Sequence, residues 1–472
     1  MMKIMKLFLV LSLILAFCLL FGACSVKEVE QESGSESEAA TETEGPKFLN
    51  VTVGGVDIGE YKIVYAHSPL ENKVGSGTGK TVGEDLADYL QGENKAMDFD
   101  YQTAVRLQTL IKEATGKTLE LVKDSASAQW EEKEILVGQT NRTASKNAVT
   151  DLEMDGYVCV KADTRYVVTG TAYGTTWHAV DSIETMIKDA KNSGAEALEL
   201  KDVTDSYRLK KVACVGDSIT RGSQALADNL GNATITKKWG SAATTVYFEQ
   251  YLGYPCVMQR ELWQEYRVFN FGMGQRTMIL TKNTTRYRDC AKYTECVGYS
   301  NRDDVEFDLV LIMLGTNDAS HIASANWTAT QKQSYLDETQ FLVDSISAGS
   351  PDAKFVLMNL PHRCDGGSPN ANDAEVRRVQ AQTVTQLAET GREIYLYDME
   401  SFTIENLTSD PSREGQSSAV ETEIHRDYYN LKDNANDKTH PSYLGYGKIA
   451  EGMIELADFF LGEGKKPEYL LV

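Results

Sequence analysis

Four apolar runs, each closed by glycine or proline, dominate the second half of the chain. They are KVACVG, YRVFNFG, FDLVLIMLG and AKFVLMNLP, and long helical stretches such as QKQSYLDETQFLVDSIS lie between them. Apolar strands that alternate with helices are typical of a parallel sheet that helices cover on both faces. The sequence therefore predicts an α/β domain with a doubly wound parallel sheet over residues 208–472.

Residues 47–207 show a mixed pattern. EYKIVYA and EILVG are typical of strands, and GYVCVKADTRYVVTGT alternates as a hairpin does. TAVRLQTLIKEATG, closed by Gly116, and WHAVDSIETMIKDA have the periodicity of amphipathic helices. The pattern predicts an N-terminal α+β accessory domain without a catalytic motif. Its layout resembles the small domains that precede catalytic domains in some secreted carbohydrate-active enzymes.

The first 46 residues are predicted to lie outside both domains. Two lysines precede an apolar run at 7–21, which is the layout of a secretory signal and is short for a membrane span. The run ends in LFGAC, which resembles a bacterial lipoprotein cleavage site, so we expect removal of residues 1–23 and lipidation of Cys24. Residues 24–46 are rich in Glu, Ser and Thr, which predicts a disordered tether to the membrane. A plain secretory signal, with no role for Cys24, is the alternative.

The composition disfavours two classes of partner. Acidic residues number 69 against 47 basic ones, which gives a net charge of −22, and nucleic-acid binding needs clustered Lys and Arg. The eight cysteines show no Cys/His spacing of a metal site. Cys290 and Cys296 could pair, although a chain of this size favours buried thiols over a disulfide framework. The sequence therefore predicts neither a nucleic-acid partner nor a metal.

The first apolar run continues into GDSIT, which predicts Ser218 at the turn from a strand into a helix. A hydroxyl at that turn can attack an acyl carbon while the N–H group beside it stabilises the oxyanion. Serine is also a favoured helix cap. The stretch by itself leaves both interpretations open.

Three further polar blocks are predicted at the same edge of the sheet, where the strands of such folds end. NFGMGQRTM follows the second run, GTND follows the third, and DKTHP precedes a final amphipathic helix. The amide of Asn317 can donate to a developing negative charge, and Asp437 stands three residues before His440, close enough to orient its imidazole. Each block alone also fits a tight turn or a structural histidine. His425 is a weaker candidate, because Asp427 follows it and no helix start accompanies it.

In this order, GDSIT, NFGMG, GTND and DKTHP resemble the four signature blocks of the SGNH (GDSL-type) hydrolase family, over residues 209–462. The resemblance implies a flavodoxin-like three-layer fold and ester hydrolysis through an acyl-enzyme, with no metal or organic cofactor. It makes Ser218 the nucleophile, His440 the general base and then acid, and Asp437 its orienting partner. It also implies an oxyanion hole made of the Ser218 N–H and the Asn317 amide.

The second block departs from the family pattern N-x-G-x-x-G. Gln275 stands where the last glycine is expected, the position whose backbone N–H completes the oxyanion hole. A backbone donor needs no glycine, but a glutamine is strained if the turn requires a positive φ. One oxyanion donor contributes about 10²–10³ in rate, so the geometry at Gln275 matters. The remaining candidates for substrate contact are Asp217 and Gly274.

These features together predict an extracytoplasmic serine ester hydrolase, anchored through Cys24, that removes acetyl or other short acyl groups from carbohydrate. The substrate part rests on the family resemblance and the predicted location. A lipid esterase or lysophospholipase is the enzymatic alternative. A surface carbohydrate-binding protein with an inert hydrolase domain is the alternative from another class.

Overall fold

The computed structural model describes most of the chain from Phe48 onward. The predicted signal and tether, together with Cys24, His425 and Asp437, lie outside the described residues, so the predictions for them stay predictions. The described residues are 48–66, 99–125, 133–223, 234–239, 242–247, 253–281, 284–322, 326–362, 371–408, 439–441 and 443–471.

The first half of the described chain contains two sheets and three α-helices. A small sheet has the order β2-β1-β8 and a larger one the order β4-β3-β5-β7-β6-β9. In the larger sheet β4, β3, β5 and β7 run parallel, whereas β6 is antiparallel to both of its neighbours. The strands are β1 (Asn50–Val53), β2 (Val56–Asp57), β3 (Lys62–Tyr65), β4 (Leu121–Lys123), β5 (Glu134–Val137), β6 (Gly156–Ala162), β7 (Arg165–Gly170), β8 (Ala197–Glu199) and β9 (Val203–Ser206), and the helices are α1 (Phe99–Thr115), α2 (Thr143–Asn147) and α3 (Tyr173–Asn192).

The predicted elements of this half are confirmed. EYKIVYA and EILVG contribute β3 and β5, and the alternating stretch forms the β6–β7 hairpin. Gly116, with φ 74°, directly follows the last residue of α1, and its N–H donates to the Lys112 carbonyl. Glycine adopts this left-handed conformation without strain, which explains why the helix ends there.

A second six-stranded sheet forms the centre of the other half. The central strands are β10 (Lys210–Gly216), β13 (Tyr266–Gly272), β16 (Leu309–Met313), β17 (Lys354–Met358), β18 (Ile394–Tyr397) and β19 (Leu470–Leu471). Two strand pairs lie outside that sheet, β11 (Thr234–Trp239) with β12 (Ala242–Tyr247), and β14 (Arg276–Thr277) with β15 (Thr285–Arg286). The helices are α4 (Ser218–Arg221), α5 (Tyr254–Glu261), α6 (Ala291–Ser300), α7 (Thr316–His321), α8 (Ala329–Ser347), α9 (Ala371–Glu389), α10 (Met399–Thr403) and α11 (Tyr443–Leu461).

The strand order of the central sheet is β13-β10-β16-β17-β18-β19. The first five strands are parallel, and only β19 runs antiparallel at the edge. Counted along the chain, the parallel strands therefore have the flavodoxin-like order 2-1-3-4-5. The predicted doubly wound fold is confirmed. Its order changes direction at β10, between β13 and β16, which is where such folds place their ligands.

Side chains of β10 alternate between the two faces of the central sheet. Val212 and Cys214 pack in a core with residues of α5 and α11. Ala213 and Val215 pack in a second core with residues of α6, α8 and α9. Helices thus cover both faces, which explains why the strand is apolar from Val212 to Val215.

Phe48–Val472 forms one compact unit, in which the first half of the chain packs against the amino-terminal ends of β10 and β13. Phe99 stacks on Trp263, with ring centroids 4.7 Å apart, and Trp177 meets the same ring edge-on. The buried Lys211 near the start of β10 pairs with Asp155. Strands of a parallel sheet carry their ligands at the opposite end, so these contacts hold the sheet from the side away from the predicted site.

The remaining features of the described chain concern thiols, metals and membranes. Cys159, Cys214, Cys290 and Cys296 are buried thiols, so Cys290 and Cys296 form no disulfide. Within the described ranges, no group of three or more His, Cys, Asp or Glu side chains is arranged to hold a metal ion. No helix of this part of the protein combines the length and the apolar character that crossing a membrane requires.

Candidate active site

The turn after β10 presents Ser218 at the carboxyl end of the sheet. A Cβ at Gly216 would lie 2.0 Å from Oγ1 of Thr220, so only glycine fits where the strand ends. The carboxylate of Asp217, which is fully buried, accepts a hydrogen bond of 3.0 Å from the Ile219 N–H and caps α4. Ser218 is therefore the first residue of a short helix, and Asp217 rather than Ser218 provides the side-chain cap.

The structure brings Ser218 and His440 together, although 222 residues separate them. Nε2 of His440 lies 2.8 Å from Oγ of Ser218. Nε2 can accept the proton of this hydroxyl only when the neutral imidazole carries its own proton on Nδ1. Asp437 was predicted to hold that tautomer, and it lies outside the described residues.

Asn317 lies on the first turn of α7 after β16 and approaches Asp217, the residue before Ser218. Its amide nitrogen donates to the Arg276 carbonyl at 3.0 Å and lies 3.4 Å from Oδ2 of Asp217. The first of these bonds fixes the amide, whereas the second is long for a hydrogen bond. One amide proton is therefore held by the Arg276 carbonyl, and the other is held only weakly by Asp217. An oxyanion formed at Ser218 would have to displace only that weak contact to accept a hydrogen bond from Asn317.

Backbone N–H groups at the same place are available as donors. Ser218, Gly274 and Gln275 donate no backbone hydrogen bond to any residue in the described ranges. The turn that contains the last two is fixed by the Met273 N–H, which donates to the Gly216 carbonyl at 2.9 Å. Unpaired N–H groups beside a hydroxyl suit an oxyanion.

Gln275 adopts a positive φ, the conformation in which a glutamine was expected to be strained. Its φ is 61°, a left-handed value that only Gln275 and Asp163 share among the described residues other than glycine. An L-residue pays about 1–2 kcal/mol for this conformation, which explains why the family pattern has glycine there. The side chain of Gln275 is exposed, so the turn keeps its shape without burying the glutamine.

A family model described as GDSL-like lipase/acylhydrolase matches residues 212–453, just over half of the chain. The chain belongs to the GDSL-like lipase/acylhydrolase family. This GDSL protein is therefore a carboxylic ester hydrolase. No curated protein matches it in sequence.

Solved structures similar to the GDSL protein are distant in sequence. The M. smegmatis aryl esterase is 16% identical with a TM-score of 0.34, and the match covers 53% of this chain and 100% of that one. An active-site mutant of a family two carbohydrate esterase from Clostridium thermocellum is 16% identical with a TM-score of 0.34, covering 56% and 68%. A carbohydrate acetylesterase family member from Sinorhizobium meliloti is 16% identical with a TM-score of 0.32, covering 54% and 100%.

Two fully buried carboxylates, those of Asp318 and Asp217, hold backbone segments of the GDSL site. Asp318 accepts hydrogen bonds from the N–H groups of Met278 and Ile279, at 2.9 and 3.0 Å. Burial raises the pKa of Asp318 to about 7, and the nearby charge of Asp217 adds to the rise. Burial likewise raises the pKa of Asp217 to about 6. Asp217 was predicted to contact substrate, but a side chain without exposed surface holds α4 and approaches Asn317 instead.

These raised pKa values predict a pH-dependent stability of the GDSL fold. The unfolded carboxyls release their protons near pH 4, whereas the folded ones keep them up to about pH 6 and 7. The folded state therefore binds more protons in this window, and the free energy of unfolding should fall as the pH rises through it. Chemical denaturation at several pH values measures the slope.

Asp318→Asn removes one of the two titrating groups and should make that slope shallower. The matched control is Asp352→Asn, which changes an exposed carboxylate before β17. An unchanged slope in Asp318→Asn, or an equal change in both variants, would contradict the assignment.

Sequence reasoning passed over two residues of the GDSL site. One is Asp318, which holds the segment after Gln275 through its two backbone hydrogen bonds. The other is Arg221, whose Nη1 would lie 3.6 Å from a Cβ built on Gly274. Asp318 is the last residue of the GTND block and Arg221 directly follows the GDSIT block, so a charged residue at the end of a motif was the available signal for both.

Proposed function

We propose that this ester hydrolase removes acetyl or other short acyl groups from carbohydrate outside the cytoplasm, with Ser218 as the nucleophile. The 2.8 Å contact between Oγ of Ser218 and Nε2 of His440 is the observation that carries the proposal. A hydroxyl next to a neutral imidazole becomes a nucleophile at moderate pH, because the imidazole takes its proton as it attacks. Backbone N–H groups at the same place suit the charge that develops.

The mechanism follows from these positions. Oγ of Ser218 attacks the ester carbonyl while Nε2 of His440 accepts its proton, and the carbonyl oxygen becomes negative. The N–H groups of Ser218 and Gln275 and the amide of Asn317 then stabilise that oxygen. The alcohol leaves with the proton from His440, and a water molecule activated by the same imidazole releases the acid. Asp437, where the family pattern has an acidic partner, would hold the Nδ1 proton.

The surroundings of Ser218 support a short acyl group and a polar alcohol. His440 contacts its hydroxyl, and Gly274, which has no side chain, lies beside it; Arg221 Nη1 lies 3.6 Å from where a Cβ of Gly274 would be. A long acyl chain gains its binding energy from apolar walls, at about 0.8 kcal/mol per buried CH₂ group. Polar walls favour hydroxyl-rich substrates, which make hydrogen bonds.

The predicted location supports the same class of substrate. The signal-like residues 1–23, the expected lipidation of Cys24 and the acidic segment behind it would hold the enzyme outside the cytoplasm. A tethered enzyme there meets extracellular polymers. Acylated polysaccharides carry many ester groups accessible from solution.

Release of acetate from acetylated xylan, measured beside turnover of a lysophospholipid, tests the substrate class. We expect acetate release and little lipid turnover, because the neighbours of Ser218 named above, His440 and Gly274, offer no apolar side chain to a long acyl chain. Ser218→Ala is the matched control, since it lacks the hydroxyl and keeps the rest of the cleft. If only the lipid were turned over, the protein would be a lipid esterase and the carbohydrate proposal would be wrong. Binding of xylan without any ester hydrolysis would support an inert, carbohydrate-binding protein instead.

A further inference from the structure

A guanidinium group borders the same space as the side chain of Ser218. Arg221 is the last residue of α4, one helical turn after the serine. A Cβ built on Gly274 would lie 3.6 Å from Nη1 of Arg221 and 3.9 Å from Cβ of Ser218. The guanidinium group of Arg221 and the side chain of Ser218 therefore both lie beside Gly274.

Packing does not explain why position 274 is glycine. At Gly272 a Cβ would lie 2.2 Å from the backbone nitrogen of Arg221, so any side chain is excluded there. At Gly274 the two nearest atoms are at ordinary van der Waals distance, and an alanine would fit. The glycine leaves room between Ser218 and Arg221, and that room suits part of a substrate.

Arg276 directly follows Gln275 and adds a second guanidinium group to the segment whose backbone holds Asn317. Its carbonyl accepts the Asn317 amide, while its Nε is buried without a hydrogen-bond partner. Within the described ranges Arg276 forms no ion pair, in contrast to arginines such as Arg142 and Arg392, which pair with carboxylates. A buried donor without a partner is unfavourable, and a bound anion that accepts its hydrogen bond removes that cost.

We infer that the ester hydrolysed at Ser218 carries a carboxylate close to the scissile bond, and that Arg221 and Arg276 bind it. The inference rests on the proposed esterase function and narrows its substrate class. Guanidinium groups suit carboxylates because they donate two parallel hydrogen bonds. In a chain with a net charge of −22, two arginines in the segments that carry Ser218 and Gln275 also offset the repulsion that an anionic substrate would meet.

The carboxylate can belong to either half of the ester, and two pairs of substrates distinguish the sources. For the alcohol half, as in a uronic acid unit, 4-acetoxybenzoate is compared with 4-acetoxybenzamide. For the acyl half, as in a dicarboxylic acid, the mono-4-nitrophenyl ester of adipic acid is compared with that of its monoamide. The measured quantity is the ratio of kcat/KM for the anionic member to kcat/KM for the neutral one, each corrected for the uncatalysed rate.

The unmodified protein should favour the anionic member of one pair by about tenfold or more, as expected for charge-assisted hydrogen bonds. Arg276→Gln and Arg221→Gln should each lower that ratio, and Arg276→Lys should keep part of it because the charge remains. Gly274→Ala, which fills the space without a clash, should lower the ratio as well. High salt should reduce it in the unmodified protein.

Arg392→Gln is the control, because this arginine pairs with Asp344 and precedes β18, at the far end of the sheet. Its ratio should equal that of the unmodified protein. A ratio near one in both pairs, or a ratio that Arg221→Gln and Arg276→Gln leave unchanged, would overturn the inference while esters are still hydrolysed. If the proposed function itself were wrong, the result would differ from this one. No substrate would then be hydrolysed in a reaction that depends on Ser218.

Discussion

Ser218→Ala should lower kcat for 4-nitrophenyl acetate by about 10⁴- to 10⁶-fold, the range seen when a serine nucleophile is removed. The variant lacks the only hydroxyl that the structure places against Nε2 of His440 in the described ranges. Thr220 cannot replace it, because its hydroxyl is buried and bonded to Tyr254 at 3.2 Å. Steady-state hydrolysis, together with mass spectrometry after an organophosphate reagent, measures both the rate and the modified residue.

The fold should tolerate this change. Asp217 caps α4 through its own carboxylate, so alanine at the first helical position removes no capping bond. Ser223→Ala is the matched control, since Ser223 contacts Ser218 and Tyr446 through its backbone groups. We expect it to keep its activity and to leave the reagent on Ser218. Labelling of another residue, or equal rates in the two variants, would exclude Ser218 as the nucleophile.

The central sheet could be predicted because its strands carry a local signal. Each apolar run became a strand of the central sheet, and each ended near its predicted glycine or proline. Parallel strands end at one edge, so the blocks after β10 and β16 had to be neighbours once those strands paired. The meeting of Ser218 with His440 follows from the family pattern alone, because His440 precedes a helix and stands at the end of no strand of the sheet.

Other features depend on contacts that no local pattern records. Strand β19 has only two residues and gains its place by pairing with β18 across the chain. The burial of Asp217 depends on β16 and α7 as much as on its own turn, so its sequence position suggested a residue at the surface of the site. The motif indicated that φ of Gln275 was worth determining, but only the backbone structure shows that it is positive.

The packing of the first half against the second is equally non-local. Trp263 lies between two apolar runs of the sequence. In the fold its ring contacts those of Phe99 and Trp177, and both of these residues are far from it in sequence. These contacts, with the buried pair of Lys211 and Asp155, fix the amino-terminal ends of β10 and β13. A rigid strand keeps the residue at its other end in place, so this packing supports the position of Ser218 from a distance.

His440→Gln should lower kcat by about 10⁴- to 10⁶-fold as well, with the loss in kcat rather than in KM. Glutamine fills a similar volume but cannot accept the proton of Ser218 and return it to the leaving alcohol. In the double variant with Ser218→Ala the two losses should not add, because serine and histidine act as a unit. A purely structural histidine would instead lower the melting temperature and leave the remaining rate sensitive to Ser218→Ala.

The control for this prediction is His321→Ala, which removes an exposed imidazole at the end of α7, the helix that carries Asn317. It should keep its rate, because the hydrogen bond from Asn317 to the Arg276 carbonyl does not involve His321. Reaction with the organophosphate should slow in His440→Gln and stay unchanged in His321→Ala, since only the first removes the base that activates Oγ. Equal labelling rates in the two variants would show that another group activates Ser218.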